Sequence, residues 1–488
     1  CFANAGTTEI HMVEALDRYP AVRSVLGLFE GVCSGAADGY ARVAGKPALT
    51  LLHLGPGFAN SAANQHNARR AFSPVVNLIG DQASWHLAAD APLTSDIDAI
   101  AGWAGWVGRS TSADDVAAVV GEGILAATSG VPGPASVVMA ADHTWEPVTS
   151  ALPKVSLGSP TRFDSAAVEA AAEALRRPGA VIIAGGRHLS AATKRALAAI
   201  ETETGCKAWA GRHASADFGT GVKISELAYF PEPLIASLEG TTVAVIAGQP
   251  EPVCFFGYPN TPSQALPADA ERLQLCGPEH DLEAVILALQ EAVGAADVAL
   301  QSRTQVDRPT GELTAATLGQ AMAACMPEDA IFVQEAVTNR AGFSAHIEAG
   351  SVPFMQLNGT GGAIGGGPPM ALGAAVAAPD RRVVNFHGSS LYTIQSLWSM
   401  AREQLDITVV IINNRSYKII EVEALRAGLD PGDATRSLLD LDRPEVNFAD
   451  LAKGFGMPSA RPTSANELVN LLDTANAQPG PFLIDAVI

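Results

Sequence analysis

The sequence is short of basic residues. Its 488 residues include 31 Lys and Arg against 51 Asp and Glu, a formal net charge of −20 and a pI near 4.9. Such a surface repels phosphate backbones and anionic bilayers, which excludes nucleic acid and acidic membrane as partners. No apolar run approaches the roughly 18 residues a spanning helix needs, so no membrane span is expected. Cysteine is also scarce: Cys1, Cys33, Cys206, Cys254, Cys276 and Cys325 are scattered, with no CxxC spacing. That excludes a zinc knuckle and a disulfide scaffold, and it points to reduced thiols in the cytoplasm. No repeat of solenoid period is visible. The sequence opens on Cys1 without Met or signal peptide, so an upstream piece is expected.

What is present suits an enzyme-sized α/β protein. Hydrophobic residues make up 48% and charged residues 17%, enough apolar material for about three packed domains. Strand and helix patterns alternate from end to end, which predicts doubly wound parallel sheets in units at 1–155, 160–305 and 310–488. In the first unit Thr7 is placed to cap a helix over 8–17, with Glu9 in its first turn. Glu30 follows a strand at 24–28. His53 ends a buried strand at 48–54, just before Gly55-Pro56-Gly57. In the second unit Gly185-Gly186 reads as a turn from the strand 180–184 into a helix. An aromatic loop at 252–264 carries Cys254, Phe255, Phe256 and Tyr258. In the third unit a strand at 331–333 ends at Gln334-Glu335, and the run NGTGGAIGGGPPMALGAA is a glycine loop feeding a helix with Pro at its start.

The most informative stretch is 380–417, which contains VVNFHGSSLYTIQSLW and ITVVIINNRSY. It reads as strand, turn, helix from Ser389 onward, strand, turn, with Leu391, Ile394, Leu397 and Trp398 on one helical face. Ligands in open parallel sheets sit where strands end and helices begin. Gly388 there lets the backbone approach a phosphate, and the amides of Asn413-Asn414 offer oxygen to a hard cation.

This stretch resembles the thiamine-diphosphate signature, Gly-Asp-Gly-Ser followed after a helix by Asn-Asn. The branch it most resembles contains acetolactate synthases and benzoylformate decarboxylases. The runs NAGTTEI, LFEGVCSGAADGYAR and LLHLGPGFAN resemble the pyrimidine-binding domain of the same superfamily, and EVNFADLAKGFGM and GPFLIDAVI match it near the C-terminus. The resemblance covers nearly the whole chain and implies pyrimidine-binding, central and diphosphate-binding domains. It implies that Glu30 protonates the cofactor's aminopyrimidine, a task suited to a buried carboxyl. It implies that His53 relays protons, as a matching histidine does in the benzoylformate decarboxylase branch. Cofactor contacts are implied at Thr7, Thr338, Gly362, Ile364, Gly388, Ser389, Asn414, Tyr417 and Lys418, with Ile364 holding the cofactor bent. Metal contacts are implied at His387, Asn414 and Ser416. The bland readings stay beside these: Glu30 as a helix-start acid, His53 as a strand-end structural residue, His66 as packing.

The signature also departs from the family. Phe386 stands for its first glycine, putting bulk where a diphosphate would approach. His387 stands for the metal-binding aspartate, although Mg²⁺ prefers carboxylate and imidazole suits other metals. Lys418 with a protonated His387 would neutralise a diphosphate without Mg²⁺. Three readings follow: a thiamine-diphosphate and Mg-dependent decarboxylase or carboligase acting on a 2-keto acid or aldehyde; an enzyme on this scaffold using Glu30 and His53 as acid and base without the cofactor; and a non-catalytic partner subunit. FAD is not expected, because the central unit has no flavin fingerprint. Family members build the site between chains, which implies a homodimer or homotetramer.

Overall fold

The computed structural model describes residues 1–347, 351–388 and 390–488. The first sheet holds β1 (Phe2–Asn4), β2 (Val25–Leu26), β3 (Ala48–Leu52), β4 (Val75–Asp81), β5 (Trp106–Arg109) and β6 (Pro134–Ala140). Their order is β2-β1-β3-β4-β6-β5, and every pairing is parallel. The central unit contributes β7 (Ala180–Leu189), β8 (Lys207–Phe218), β9 (Ser225–Glu226), β10 (Val243–Ala247) and β11 (Glu271–Cys276). The last unit contributes β12 (Ala330–Glu335), β13 (Phe354–Asn358), β14 (Val383–His387), β15 (Ile407–Asn413), β16 (Ser459–Ala460) and β17 (Phe482–Val487).

The central and last units share one sheet, ordered β11-β10-β7-β8-β13-β12-β14-β15-β17-β16, with β9 beside β8. The seam is the antiparallel pair β8–β13, with Phe218 opposite Phe354 and their rings stacked at 5.3 Å. The sequence reading had no strand at 207–218. Its polar residues Arg212, His213, Ser215 and Asp217 hid a strand buried along much of its length. The expected turn into a helix at Gly185-Gly186 is also corrected. β7 runs on to Leu189, with a register shift beside Gly186, whose φ of +98° only glycine tolerates readily.

Two helices hold the first unit against the last. The Glu30–Ala44 helix is almost wholly buried and crosses the apolar Gly367–Ala377 helix. Glycines let the backbones touch. A Cβ on Gly39 would overlap the Met370 carbonyl, and one on Gly373 would overlap that of Ala36. One apolar core spans both units, from Val32 and Ala36 to Met370, Leu397 and Ile411. Among the described residues no helix is long and apolar enough to cross a membrane. The six cysteines are unpaired.

Candidate active site

The N-terminus of the chain folds differently from its predicted helix. Residues Thr7–Glu9 form a 3-10 turn and the helix proper is Ile10–Arg18. Gly6 caps the turn, and Thr7 is exposed. Glu9 is pulled inward to 0% exposure rather than lying in a solvated first turn. Its Oε2 accepts from the Gly6 N–H at 2.8 Å and lies 2.8 Å from His53 Nδ1; its Oε1 accepts from the Thr8 hydroxyl at 2.6 Å. A buried carboxylate on Nδ1 fixes the ring and leaves Nε2 to face outward chemistry. Gly80 leaves the space for Glu9, because a Cβ there would land on Oε1.

His53 is the N-cap of the Leu54–Arg70 helix, and Glu30 is the first residue of the Glu30–Ala44 helix. The two helix starts meet at Gly57. A Cβ placed on Gly57 would lie 3.4 Å from Glu30 Oε1 and 3.5 Å from His53 Cβ. Glu30 and His53 therefore flank the same glycine. Glu30 is half-exposed within one chain, not buried as expected, and Asn60 donates to its Oε2 at 3.0 Å.

The glycine loop after β13 is pinned at both ends. His66 Nε2 lies 3.0 Å from the Gly361 carbonyl, and the Asn67 amide donates to the Ala363 carbonyl at 2.8 Å. His66 thus packs between units. At the other end Glu335, the last residue of β12, accepts from the N–H groups of Gly365, Gly366 and Gly367 at 2.7, 3.2 and 3.0 Å. Burial nonetheless pushes its carboxyl up to about 7, against the three N–H donors that favour the ionised form. Gly362 lies beneath Phe255, whose ring atom would stand 2.7 Å from a Cβ there. The aromatic loop therefore does reach the glycine loop. Ile364 is half-buried, and Thr338, also half-buried, sits on a short turn after β12.

Beyond β14 the chain does not enter a helix directly. Ser390–Tyr392 is a 3-10 turn and the helix is Ser396–Arg402. Thr393 donates to the Gly365 carbonyl at 2.6 Å, which draws the segment onto the glycine loop and leaves Leu391 exposed. Ser389 lies outside the described residues. Gly388, Asn414 and Tyr417 line one cleft, and a Cβ on Gly388 would meet only the Ile412 carbonyl at 3.9 Å. An anion can come up to the backbone there, in a cleft of about 30 Å³.

Two expectations about the altered signature fail. Phe386 does not enter the cleft. It is 0% exposed and points to the other face of the sheet, among Phe332, Phe343 and Phe354. Alternation along β14 gives the reason, since neighbouring side chains point to opposite faces. His387 is not a cation. Burial pushes its imidazole down to about 3, and its Nε2 has no hydrogen-bond partner among the described residues. Lys418 is exposed and pairs with Glu421. Asn414 Oδ1 accepts from the Ser416 N–H at 3.2 Å. Among the described residues no three or more His, Cys, Asp or Glu converge as metal ligands. The donors near this cleft are an imidazole and an amide, which do not fit Mg²⁺ well.

Glu9, Glu335, Asn60 and Asn67 were missed from sequence. The available signals were an acid three residues after Gly6 and an acid ending a buried strand next to a glycine loop.

Comparisons with known proteins agree with this architecture. The thiamine pyrophosphate enzyme N-terminal TPP binding domain matches residues 1–101, and the C-terminal TPP binding domain matches residues 343–486. The chain is 44% identical over 501 aligned residues to a Mycobacterium tuberculosis protein named "Putative acetolactate synthase large subunit IlvX", covering 100% of this chain and 96% of that one. It is 26% identical to the benzoylformate decarboxylase of Pseudomonas aeruginosa, covering 99% and 95%. Among solved structures, a thiamine diphosphate-dependent 4-hydroxybenzoylformate decarboxylase of Rhodococcus jostii superposes with a TM-score of 0.84 at 22% identity, covering 100% and 96%.

Proposed function

Because this chain belongs to the thiamine pyrophosphate enzyme family, we propose that it is an enzyme that decarboxylates a 2-keto acid, or joins its acyl part to a second carbonyl compound, with thiamine diphosphate. The bound cofactor would supply the electron sink that lets carbon dioxide leave. The observation that carries this reading is the meeting of Glu30 and His53 at Gly57, with His53 held by buried Glu9.

The units proposed at 1–155, 160–305 and 310–488 divide the work. The first brings proton chemistry. Glu30 would exchange a proton with the cofactor's pyrimidine, and the Asn60 amide at 3.0 Å orients its carboxyl. His53 moves protons at the reacting centre, its free nitrogen set by the Glu9 contact to Nδ1. Thr7 borders the same turn. The last unit would hold the diphosphate end through Gly388, Asn414, Tyr417 and, outside the described residues, Ser389. Gly362, Ile364 and Thr338 would also contact the cofactor, and the pinned ends of the glycine loop keep Ile364 in place. A divalent cation would draw on Asn414 and the Ser416 carbonyl with buried His387 behind them, a set better suited to nickel or cobalt than to magnesium.

Glu30 is half-exposed, and its hydrogen-bond partner Asn60 lies in its own unit. A second copy of the chain would cover it, which supports a homodimer or homotetramer. Unpaired cysteines support a cytoplasmic setting.

Two measurements test the reading: calorimetric titration with thiamine diphosphate, and carbon dioxide release from a panel of 2-keto acids. Uptake of cofactor with turnover, and loss of turnover by about 10²-fold or more in Glu30→Gln, are expected. Turnover without cofactor uptake would overturn it.

A further inference from the structure

Beside the seam between the central and last units lies a second cavity, of about 190 Å³. It shares no lining residue with the Gly388–Tyr417 cleft. On the same measure one water needs roughly 10–15 Å³, so this space admits a small molecule rather than one solvent molecule. Its walls come from β8, the Ala191–Thr204 helix, β9 and the short Arg340–Ser344 helix.

The polar groups lining it are unusually buried. Lys194 is 7% exposed and His213 8%. The Lys194 ammonium donates to the Asp217 carbonyl at 2.7 Å and stands 4.0 Å from the centre of the Phe218 ring. It has three protons to donate, and the ring face is no full replacement for an acceptor. The Asp217 carboxylate faces away, accepting from the Ala191 N–H at 3.0 Å and lying 3.4 Å from His188. His213 Nδ1 lies 2.8 Å from the Gly211 carbonyl, while its Nε2 has no hydrogen-bond partner among the described residues and stands 3.8 Å from Glu226. Glu226 is paired with Arg340. Among the described residues Glu226 is the one carboxylate lining the cavity, and it is shared between Arg340 and the charge of Lys194.

A buried ammonium and an unpaired imidazole nitrogen are costly to desolvate without a partner. Burial already pushes Lys194 down to about 8. The missing group is an acceptor, preferably charged, and the cavity has the room for it. We propose that this cavity binds a small anion, a carboxylate or a phosphate group, through the Lys194 ammonium and the His213 imidazole. Arg340 follows soon after Glu335, which holds the glycine loop, so occupancy would stiffen the chain leading to the cofactor cleft.

The test is thermal unfolding of the protein with excess thiamine diphosphate, titrated with inorganic phosphate and, separately, with acetate, against chloride at matched ionic strength. A saturable rise in Tm is expected from at least one anion. Phosphate alone would assign the site to phosphate groups; acetate, alone or as well, would assign it to carboxylates. Lys194→Met keeps the stem over Phe218 and should weaken the response at least about tenfold, as should His213→Gln. Hydrogen exchange on the unaltered protein supplies a second readout should the variants not fold. The effective anion should protect segments 207–226 and 340–347. No response to either anion, an unchanged response in Lys194→Met, or protection confined to 388–417 would overturn the proposal.

Discussion

The Nδ1 of His53 lies 2.8 Å from the Oε2 of Glu9, a carboxylate with no solvent exposure. The pair is made possible by two residues without side chains. A Cβ on Gly80 would land on Glu9 Oε1, and a Cβ on Gly6 would overlap the imidazole ring. Glu9 therefore acts as a positioning residue for His53, and the chain around both is shaped to admit it.

Gly80→Ala should displace the Glu9 carboxyl and release His53 from its orientation. Overpacking of this kind costs about 1–3 kcal/mol, which a folded domain of this size can absorb. Turnover should fall further than stability does, through kcat more than KM, because substrate binding does not need the ring to be fixed. Circular dichroism melts and steady-state rates on the same preparation would check this. A variant with unchanged kcat would show that the Glu9 contact is purely structural.

Much of the fold was legible because buried parallel strands are written as β-branched runs closed by glycine. The strands 383–386 and 407–412, the glycine loop and the position of Glu30 were all read that way. The errors have a common physical source, which is contact between segments distant in sequence. β8 looked polar because its polar residues serve the seam and the second cavity. The 389–398 stretch has helical spacing, but Thr393 donates to the Gly365 carbonyl and the helix begins only at Ser396. Phe386 looked obstructive because sequence gives the side chain but not the face of the sheet it takes.

Phe386 yields a prediction opposite to what its place in the signature suggests. Phe386→Gly should not improve cofactor binding. It should open a void among Phe332, Phe343 and Phe354 and cost about 3–5 kcal/mol. Urea denaturation would show a lower midpoint, and calorimetry would show no gain in thiamine diphosphate affinity. A gain in affinity would mean that the ring does reach the cleft.

His387 should set the metal preference. A neutral imidazole with a free Nε2 favours first-row transition cations over Mg²⁺. Thiamine diphosphate should be retained better with Ni²⁺ or Co²⁺ than with Mg²⁺, and His387→Asp should reverse the order. Retention after gel filtration, read by absorbance of the released cofactor, measures this. Equal retention with all three ions in both proteins would remove His387 from the metal site.

Glu335 should leave a signature in stability against pH. Its carboxyl is raised from 4.5 to about 7 in the folded protein, so the folded state holds the proton more tightly than the unfolded chain. Its contribution is fully present below pH 4.5 and is lost as pH rises through about 7. The full span corresponds to about 3 kcal/mol. Glu335→Gln cannot titrate, so its stability carries none of this pH dependence. The stability of the parent relative to Glu335→Gln should then shrink by about that amount between pH 4.5 and above 7. Urea unfolding of both proteins across this range would measure the difference. A constant gap would mean that the three glycine N–H groups hold Glu335 ionised throughout, and that the glycine loop is fastened equally at every pH in the range.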